Sequence, residues 1–417
     1  MSKMTAGKNA ATPGRGIRKT ASWAAMLLLL CGGVMARAQA PERTIDEIRT
    51  EAQARADRGN YPLIGLDPAD VRDALASLHT RDPDSWAASW SRVADRYMDD
   101  ASANPARADA DYLRAWRLYY FAQWPVPSSP GKQEAYRKAL DAYARHAAAL
   151  DPKIETVRIP FEGGTITGYL RLPKNHQGKV PLILAISGLD SRKENMAETY
   201  NAIIPDGVGY FAVDSPGTGQ APIKVSPTAD RMFATVLDYL RTRPEVDPHR
   251  IIAHGVSFGA YWATKLAITQ HGSLLGAVVQ SPPIDAALQE DFLRTHLLGN
   301  REYLFDVVPA FLAVVENGDT VDKLAKVFPT LSLVAQGLIG KPTGPMLVVG
   351  GAKDTQVPIS DLDLLLNTGD VPKDAWINPQ GGHLGREPRG WTDPVIFTHV
   401  ILPWELRLLR NEAAVVR

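Results

Sequence analysis

Beyond its first forty residues the chain changes texture once, near residue 150. Residues 41 to about 150 are rich in Ala and Arg and lack β-branched runs, which favours helices over strands. Asp67-Pro68 and Asp82-Pro83 read as helix starts or turns, since Asp caps a helix and Pro tolerates its first position. Pro125, Pro127 and Pro130 break the helices, and Gln133 to Leu150 is expected to form one more. Trp86, Trp90, Trp116, Trp124 and the run Tyr119-Tyr120-Phe121 sit here and are expected to be core. From Asp151-Pro152 onward the pattern is that of strands. Val157 to Phe161, Gly163-Gly164 and Thr165 to Leu172 read as a hairpin. Apolar runs follow at Pro181–Ile186, Gly209–Val213, Arg250–Ala253, Ala277–Gln280 and Met346–Val349, with a weaker one at Ala375–Asn378. Near-continuous apolar strands separated by helices predict a mostly parallel, doubly wound sheet covered on both faces. Residues 281 to 345 exceed what one crossover needs, so an insertion is expected around 284–344, near whatever site the sheet carries.

The first forty residues carry a different signal. Lys3, Lys8, Arg15, Arg18 and Lys19 precede an apolar stretch from Ala21 to about Met35, and Ala38-Gln39-Ala40 follows. That order predicts a secretory signal peptide over 1–40, with an export to the periplasm or beyond. The stretch is too short for a membrane anchor, and the body of the chain has no 18-residue apolar run. Cleavage changes the charge. The whole chain has 46 basic and 46 acidic side chains, and the segment removed holds six of the basic ones, so 40 remain against 46 acidic. A mature chain with that acidic excess is not expected to bind nucleic acid or an anionic membrane. The single cysteine, Cys31, leaves with the signal. The mature chain then has no disulfide, no thiolate nucleophile and no cysteine-ligated metal.

Candidate chemistry centres on Gly255-Val256-Ser257-Phe258-Gly259. A strand at Arg250–His254 leads into it and a helix from Ala260 leaves it, the context of a nucleophile elbow. A serine hydroxyl needs a general base and an orienting acid, in the chain order Ser, Asp or Glu, His. Asp354 follows the strand at Met346–Val349, and His383 follows the weak strand at Ala375–Asn378 in Gly381-Gly382-His383. His383 is expected to take the proton from Ser257, and Asp354 to hold the imidazole. The N–H groups of Phe258 and Leu189 are the candidate oxyanion donors.

Other residues compete for these roles. Asp214 precedes the serine and sits in a turn, Asp214-Ser215-Pro216-Gly217. His254 lies on the strand with its ring to one side, and His399 is expected to be packed in an apolar helix. His79 and His146 belong to the helical part, and His271 and His296 to helical or inserted segments. No His-Glu-x-x-His and no phosphate-binding loop occurs, so neither metal nor cofactor is expected.

Ser187-Gly188-Leu189-Asp190-Ser191-Arg192-Lys193-Glu194 resembles the Gly-Gly-Leu-(Asp/Glu)-Ser-x-Lys-Glu segment of the FrsA-like esterases, the group that includes 2,6-dihydroxypseudooxynicotine hydrolase. Ile159 to Gly163, Gly168-Tyr169-Leu170, and Tyr119 through Pro130 to Pro152 are similar to that family as well. The resemblance implies an α/β-hydrolase core over 151–417 beneath a helical cap over 41–150, often dimeric, cofactor-free and acting on a small molecule. It implies the same Ser257, Asp354 and His383. Ser187 departs from the family's first glycine. The carbon–carbon hydrolase of the group uses an extra glutamate after the strand that follows the nucleophile helix, where this chain reads Asp285 to Glu290. Three functions are therefore expected in this order: a serine esterase, a carbon–carbon bond hydrolase of diketone-like substrates, and a peptidase. A non-catalytic scaffold would be the reading had a triad member been missing.

Overall fold

A computed structural model describes residues 42–410, which fall within one compact unit, Ala38–Arg417. The expected signal peptide, its cleavage site and Cys31 lie outside the described residues. The helical texture resolves into α1 (Ile45–Arg58), α2 (Pro68–Ala76), α3 (Pro83–Ala103), α4 (Ala108–Gln123) and α5 (Pro130–Ala149). Their starts follow the side chains that cap them. Thr44 and Glu47 form a capping box ahead of α1. Asp67 accepts the Ala69 N–H at 2.9 Å and Asp82 the Ser85 N–H at 2.7 Å, each with Pro at the first helical position. Pro130 was expected to break a helix and instead begins α5, three residues before Gln133. A proline's missing N–H costs nothing at that position, and Ser129 caps the turn.

Eight strands follow: β1 (Glu155–Phe161), β2 (Gly164–Arg171), β3 (Val180–Ile186), β4 (Gly209–Val213), β5 (Val246–Val256), β6 (Gly276–Gln280), β7 (Met346–Gly351) and β8 (Asp374–Asn378). They form one sheet in the order β1-β2-β4-β3-β5-β6-β7-β8. β2 is antiparallel to β1 and to β4, and every later pairing is parallel. With its flanking helices this is the α/β-hydrolase fold. β5 extends well beyond the expected Arg250–Ala253 and runs up to the elbow itself.

Alternation along the strands splits the interior in two. Leu182, Leu184, Ile186, Ile251 and Ala253 face α7 (Arg231–Thr242), α8 (Phe258–Thr269) and apolar residues from 284 to 333. Ile183, Ala185, Ala212 and Ile252 belong to a second buried cluster, with α6 (Lys193–Tyr200), the helix Leu402–Leu409 and all of α1–α5. The N-terminal helices therefore share one core with a sheet face. Their aromatic residues divide the work. Trp86, Trp90, Phe121 and Trp124 pack together, Trp90 edge-on to Phe121 at 4.6 Å between centroids. Trp116 and Tyr120 are also buried but border a cavity. Among the described residues no helix is long and apolar enough to cross a membrane.

The loop after β3 is held by buried charge. Lys193, fully buried, lies 2.7 Å from Glu194 and 3.2 Å from Asp214. Burial alone would push its ammonium toward neutrality, but the carboxylates of Asp214 and Glu194 outweigh that and keep it charged. Asp214 also accepts the Lys193 and Gln220 N–H groups at 2.8 and 2.9 Å. Lys193→Met would leave two carboxylates buried without their cation and should destabilise the fold by about 3–5 kcal/mol. Denaturant unfolding followed by circular dichroism measures this, and a change under about 1 kcal/mol would contradict the assignment.

Candidate active site

The turn between β5 and α8 places Ser257 in a conformation few non-glycine residues adopt, with φ 52° and ψ −120°. Its neighbours make this possible. A Cβ on Gly255 would lie 2.1 Å from the Gly259 carbonyl oxygen, and one on Gly259 would lie 2.4 Å from that of Ser187. Only glycine fits at either position, so the turn is locked between the helix and the end of β3. The Ser257 N–H donates to the Gln280 carbonyl at 2.8 Å, which ties the elbow to β6.

Ser257, Asp354 and His383 come together. The His383 Nε2 lies 2.8 Å from the Ser257 Oγ, and its Nδ1 lies 2.8 Å from the Asp354 Oδ2. The other Asp354 oxygen accepts the Gln356 and Val357 N–H groups, each at 2.9 Å, which fixes the carboxylate. The His383 and Asp354 side chains are each 1 % exposed. Burial pushes the imidazole pKa down, but the charge and hydrogen bond of Asp354, helped by the charge of Glu302, outweigh that and leave it raised. The ring holds a proton more readily than a free histidine because the Asp354 carboxylate stands against it.

The oxyanion candidates lie beside this group. Leu189 and Phe258 line one small cavity together with Ser257 and His383. Among the described residues neither N–H donates a loop or cap hydrogen bond to the backbone. A Cβ on Gly188 would lie 3.7 Å from the Ser257 Cβ, so the loop runs against the elbow. The unexpected Ser187 is accommodated without disturbing it. Its hydroxyl accepts the Ser215 N–H at 3.2 Å, and its carbonyl accepts the Ser215 hydroxyl.

The competing residues are placed elsewhere. Asp214 is occupied by Lys193. His254 is buried against Tyr200 and Glu405, and burial pushes its imidazole down to about 3. His146 pairs with Asp109. His79, His271 and His296 are exposed. His399, expected to be packed, is exposed too, because it falls on the solvent side of the helical turn Phe397–Ile401. Glu290 is exposed and pairs with Arg294 at 2.9 Å, away from the triad. Among the described residues no cluster of His, Cys, Asp and Glu is placed to hold a metal ion.

The glutamate at the site is Glu302, which sequence reasoning missed. Its Oε1 accepts the His383 N–H at 2.5 Å, and its Oε2 accepts the Thr355 hydroxyl at 2.5 Å. One side chain thus joins the loop bearing Asp354 to the loop bearing His383. Its own carbonyl accepts from Arg55 of α1 at 2.7 Å. Tyr303 follows, with its ring 6.2 Å from that of His383 and 5.4 Å from that of Tyr61. Arg386 sits 4.3 Å over the Tyr61 ring and donates to Asp393 at 2.7 Å. Glu302 and Tyr303 fall in the insertion expected near the site, in a stretch without helix or strand that offers no periodicity from which to pick them.

The sequence model of the family described as Esterase FrsA-like matches residues 73–375. The chain belongs to that family. It is 24% identical over 328 residues to the esterase FrsA of Serratia proteamaculans, covering 73% of this chain and 78% of that protein. It is 29% identical over 259 residues to the hydrolyase poxO of Penicillium oxalicum, covering 57% of this chain and 60% of that protein. For the α/β hydrolase xenA of Xenoacremonium sinensis, 30% identical over 230 residues, the chain spans 54% of the relative's length. Among solved structures, 2,6-dihydroxy-pseudo-oxynicotine hydrolase superposes with a TM-score of 0.70 at 19% identity, over 86% of this chain and 96% of the other. AbyA5 superposes with a TM-score of 0.68 at 20% identity, over 88% and 94%. Both share the fold.

The clasp is testable directly. Glu302→Gln keeps a hydrogen-bond acceptor for the His383 N–H and removes one negative charge beside the ring. The His383 titration midpoint, followed by NMR, should move to lower pH in that variant. An unchanged midpoint would contradict the electrostatic part of the assignment.

Proposed function

We propose that this protein is a serine esterase that works through an acyl-enzyme. The single observation that carries this is the continuous hydrogen-bonded line that starts from Ser257 on the strained elbow and runs through His383 to Asp354, at 2.8 Å and 2.8 Å. In the proposed reaction the Ser257 Oγ attacks an ester carbonyl carbon as its proton passes to the His383 Nε2. The carbonyl oxygen becomes an oxyanion that the Phe258 and Leu189 N–H groups receive. The carbon–oxygen bond to the alcohol breaks, and His383 returns the proton to the departing oxygen. Water then attacks the acyl-enzyme, giving its proton to His383, and the acid leaves as the Ser257 Oγ recovers a proton. Throughout, Asp354 stabilises the imidazolium and fixes which nitrogen faces the serine.

A second reading, hydrolysis of a carbon–carbon bond in a diketone-like substrate, is favoured by one observation. An extra glutamate, Glu302, does stand against the His383 loop. The substrate is proposed to be a small molecule, and the basic, apolar, small-residue order of residues 1–40 supports a periplasmic or secreted location.

Ser257→Ala should lower kcat/KM for an aryl ester by roughly 10⁴-fold or more. Retained turnover in that variant would exclude Ser257 as nucleophile. The base must be neutral to act. Because the folded environment raises the His383 pKa, kcat/KM should fall on the acid side with a midpoint above the ordinary imidazole value of about 6.5. A pH–rate profile with its acid limb below that value would contradict the assignment of His383 as base.

A further inference from the structure

Ser257 stands between two cavities of very different size. The larger, about 230 Å³, is bounded by Tyr61, Trp116, Tyr120 and Tyr303 and by the polar groups Arg117, Asn195 and Glu198. The smaller, about 30 Å³, has room for no more than a few heavy atoms. Its walls include Leu288, Leu297, Val307, Phe311 and Phe328, and its polar side chains are Ser257, His383, Gln356, Asp190 and Tyr303, of which Ser257, Asp190 and Tyr303 border the larger cavity too. His383 borders the small cavity and not the large one.

That asymmetry sets the direction of the substrate. The group that departs must keep its oxygen within hydrogen-bond reach of the His383 Nε2, which returns the proton to it. The acyl carbon is bonded to Ser257, which borders both cavities. We infer that the small cavity receives the alcohol and the large cavity receives the acid. The substrates are therefore esters of a bulky, aromatic acid with a short, apolar alcohol, rather than acetates of a bulky alcohol. This rests on the acyl-enzyme reading above and deepens it.

The small cavity is held at its size. Phe311 packs edge-on against Phe258 at 5.4 Å and against Phe328 at 5.0 Å between centroids. The Asp361 carboxylate accepts the N–H groups of Ile284, Asp285, Ala286 and Ala287 at 2.7 to 3.3 Å. The wall segment carrying Ala287 and Leu288 is thus tied to the helix Ile359–Leu366. Opening this cavity for a longer chain means breaking buried hydrogen bonds or repacking three aromatic rings, so a longer alcohol is excluded rather than accommodated.

The experiment compares two ester series on the full-length mature protein. One holds the acid as an aromatic carboxylate and lengthens the alcohol from methyl to butyl. The other holds the alcohol as methanol and lengthens the acid from acetyl to hexanoyl. In the first series kcat/KM should fall roughly tenfold or more between methyl and butyl. Phe311→Ala should restore the butyl ester relative to the methyl ester by a similar factor and leave the acyl-length profile in place. Val307→Ala, a milder change at a partly exposed position, supplies the same test should the first variant fold poorly. If either variant instead broadens the acyl-length profile, the two cavities have the opposite assignment and the inference is wrong. If the wild type prefers phenyl acetate over methyl benzoate after correction for leaving-group reactivity, the inference is also wrong, while the esterase reading stands. If no ester of either series is hydrolysed, the esterase reading itself has failed.

Discussion

The tight turn that carries Ser257 is the constraint from which the rest of the site follows. A serine held at positive φ costs on the order of 1–3 kcal/mol. It persists because the Gly255 and Gly259 backbones are pressed against α8 and the end of β3 with no space for a side chain. The Ser257 N–H is committed to β6, so the hydroxyl is left to project from the sheet edge toward His383. Long parallel strands buried on both faces hold this turn still. The Ser257 geometry is thus a property of the sheet, and loops bring His383 and Asp354 to it.

Two of those loops meet on Glu302. The Asp354 and His383 loops leave neighbouring strands, β7 and β8, and the Ala352 and Lys353 N–H groups already join them through the Asn378 and Gly381 carbonyls, each at 2.9 Å. Glu302 adds a side-chain tie with one carboxylate, and Arg55 of α1 holds the Glu302 backbone in turn. The N-terminal helices reach the site through this contact and through Tyr61 and Tyr120, which wall the larger cavity. Buried charge serves the loop after β3 in a similar way. There Lys193, Glu194 and Asp214 fix the segment from which Gly188 and Leu189 approach the elbow.

The sheet, the hairpin and the grouping of Ser257, Asp354 and His383 were legible in the sequence because each leaves a local mark. Strands buried on both faces read as apolar runs, the Gly163-Gly164 pair between two such runs marks the β1–β2 hairpin, and the elbow needs glycine at fixed offsets. Pro130 was misread because proline both ends helices and begins them, and the choice rested on whether Ser129 capped the next turn. His399 was misread because an apolar helix still has a solvent side. Glu302, Tyr303 and Arg386 were illegible for a deeper reason. Their roles arise from contacts between segments far apart in the chain, such as His383 with Glu302 and Arg386 with Tyr61, and no short-range pattern encodes such a pair. Glu290 drew notice by its position after β6, while the carboxylate that meets the His383 loop comes from farther along the same insertion.

The central claim is that Ser257 is the activated nucleophile, and covalent trapping tests it most directly. The protein is treated with a fluorophosphonate, and the modified peptide is identified by mass spectrometry. The account predicts one label per chain, on Ser257, with loss of labelling when His383 is replaced by Ala. A label on another residue, or ester turnover that persists in fully labelled protein, would contradict it.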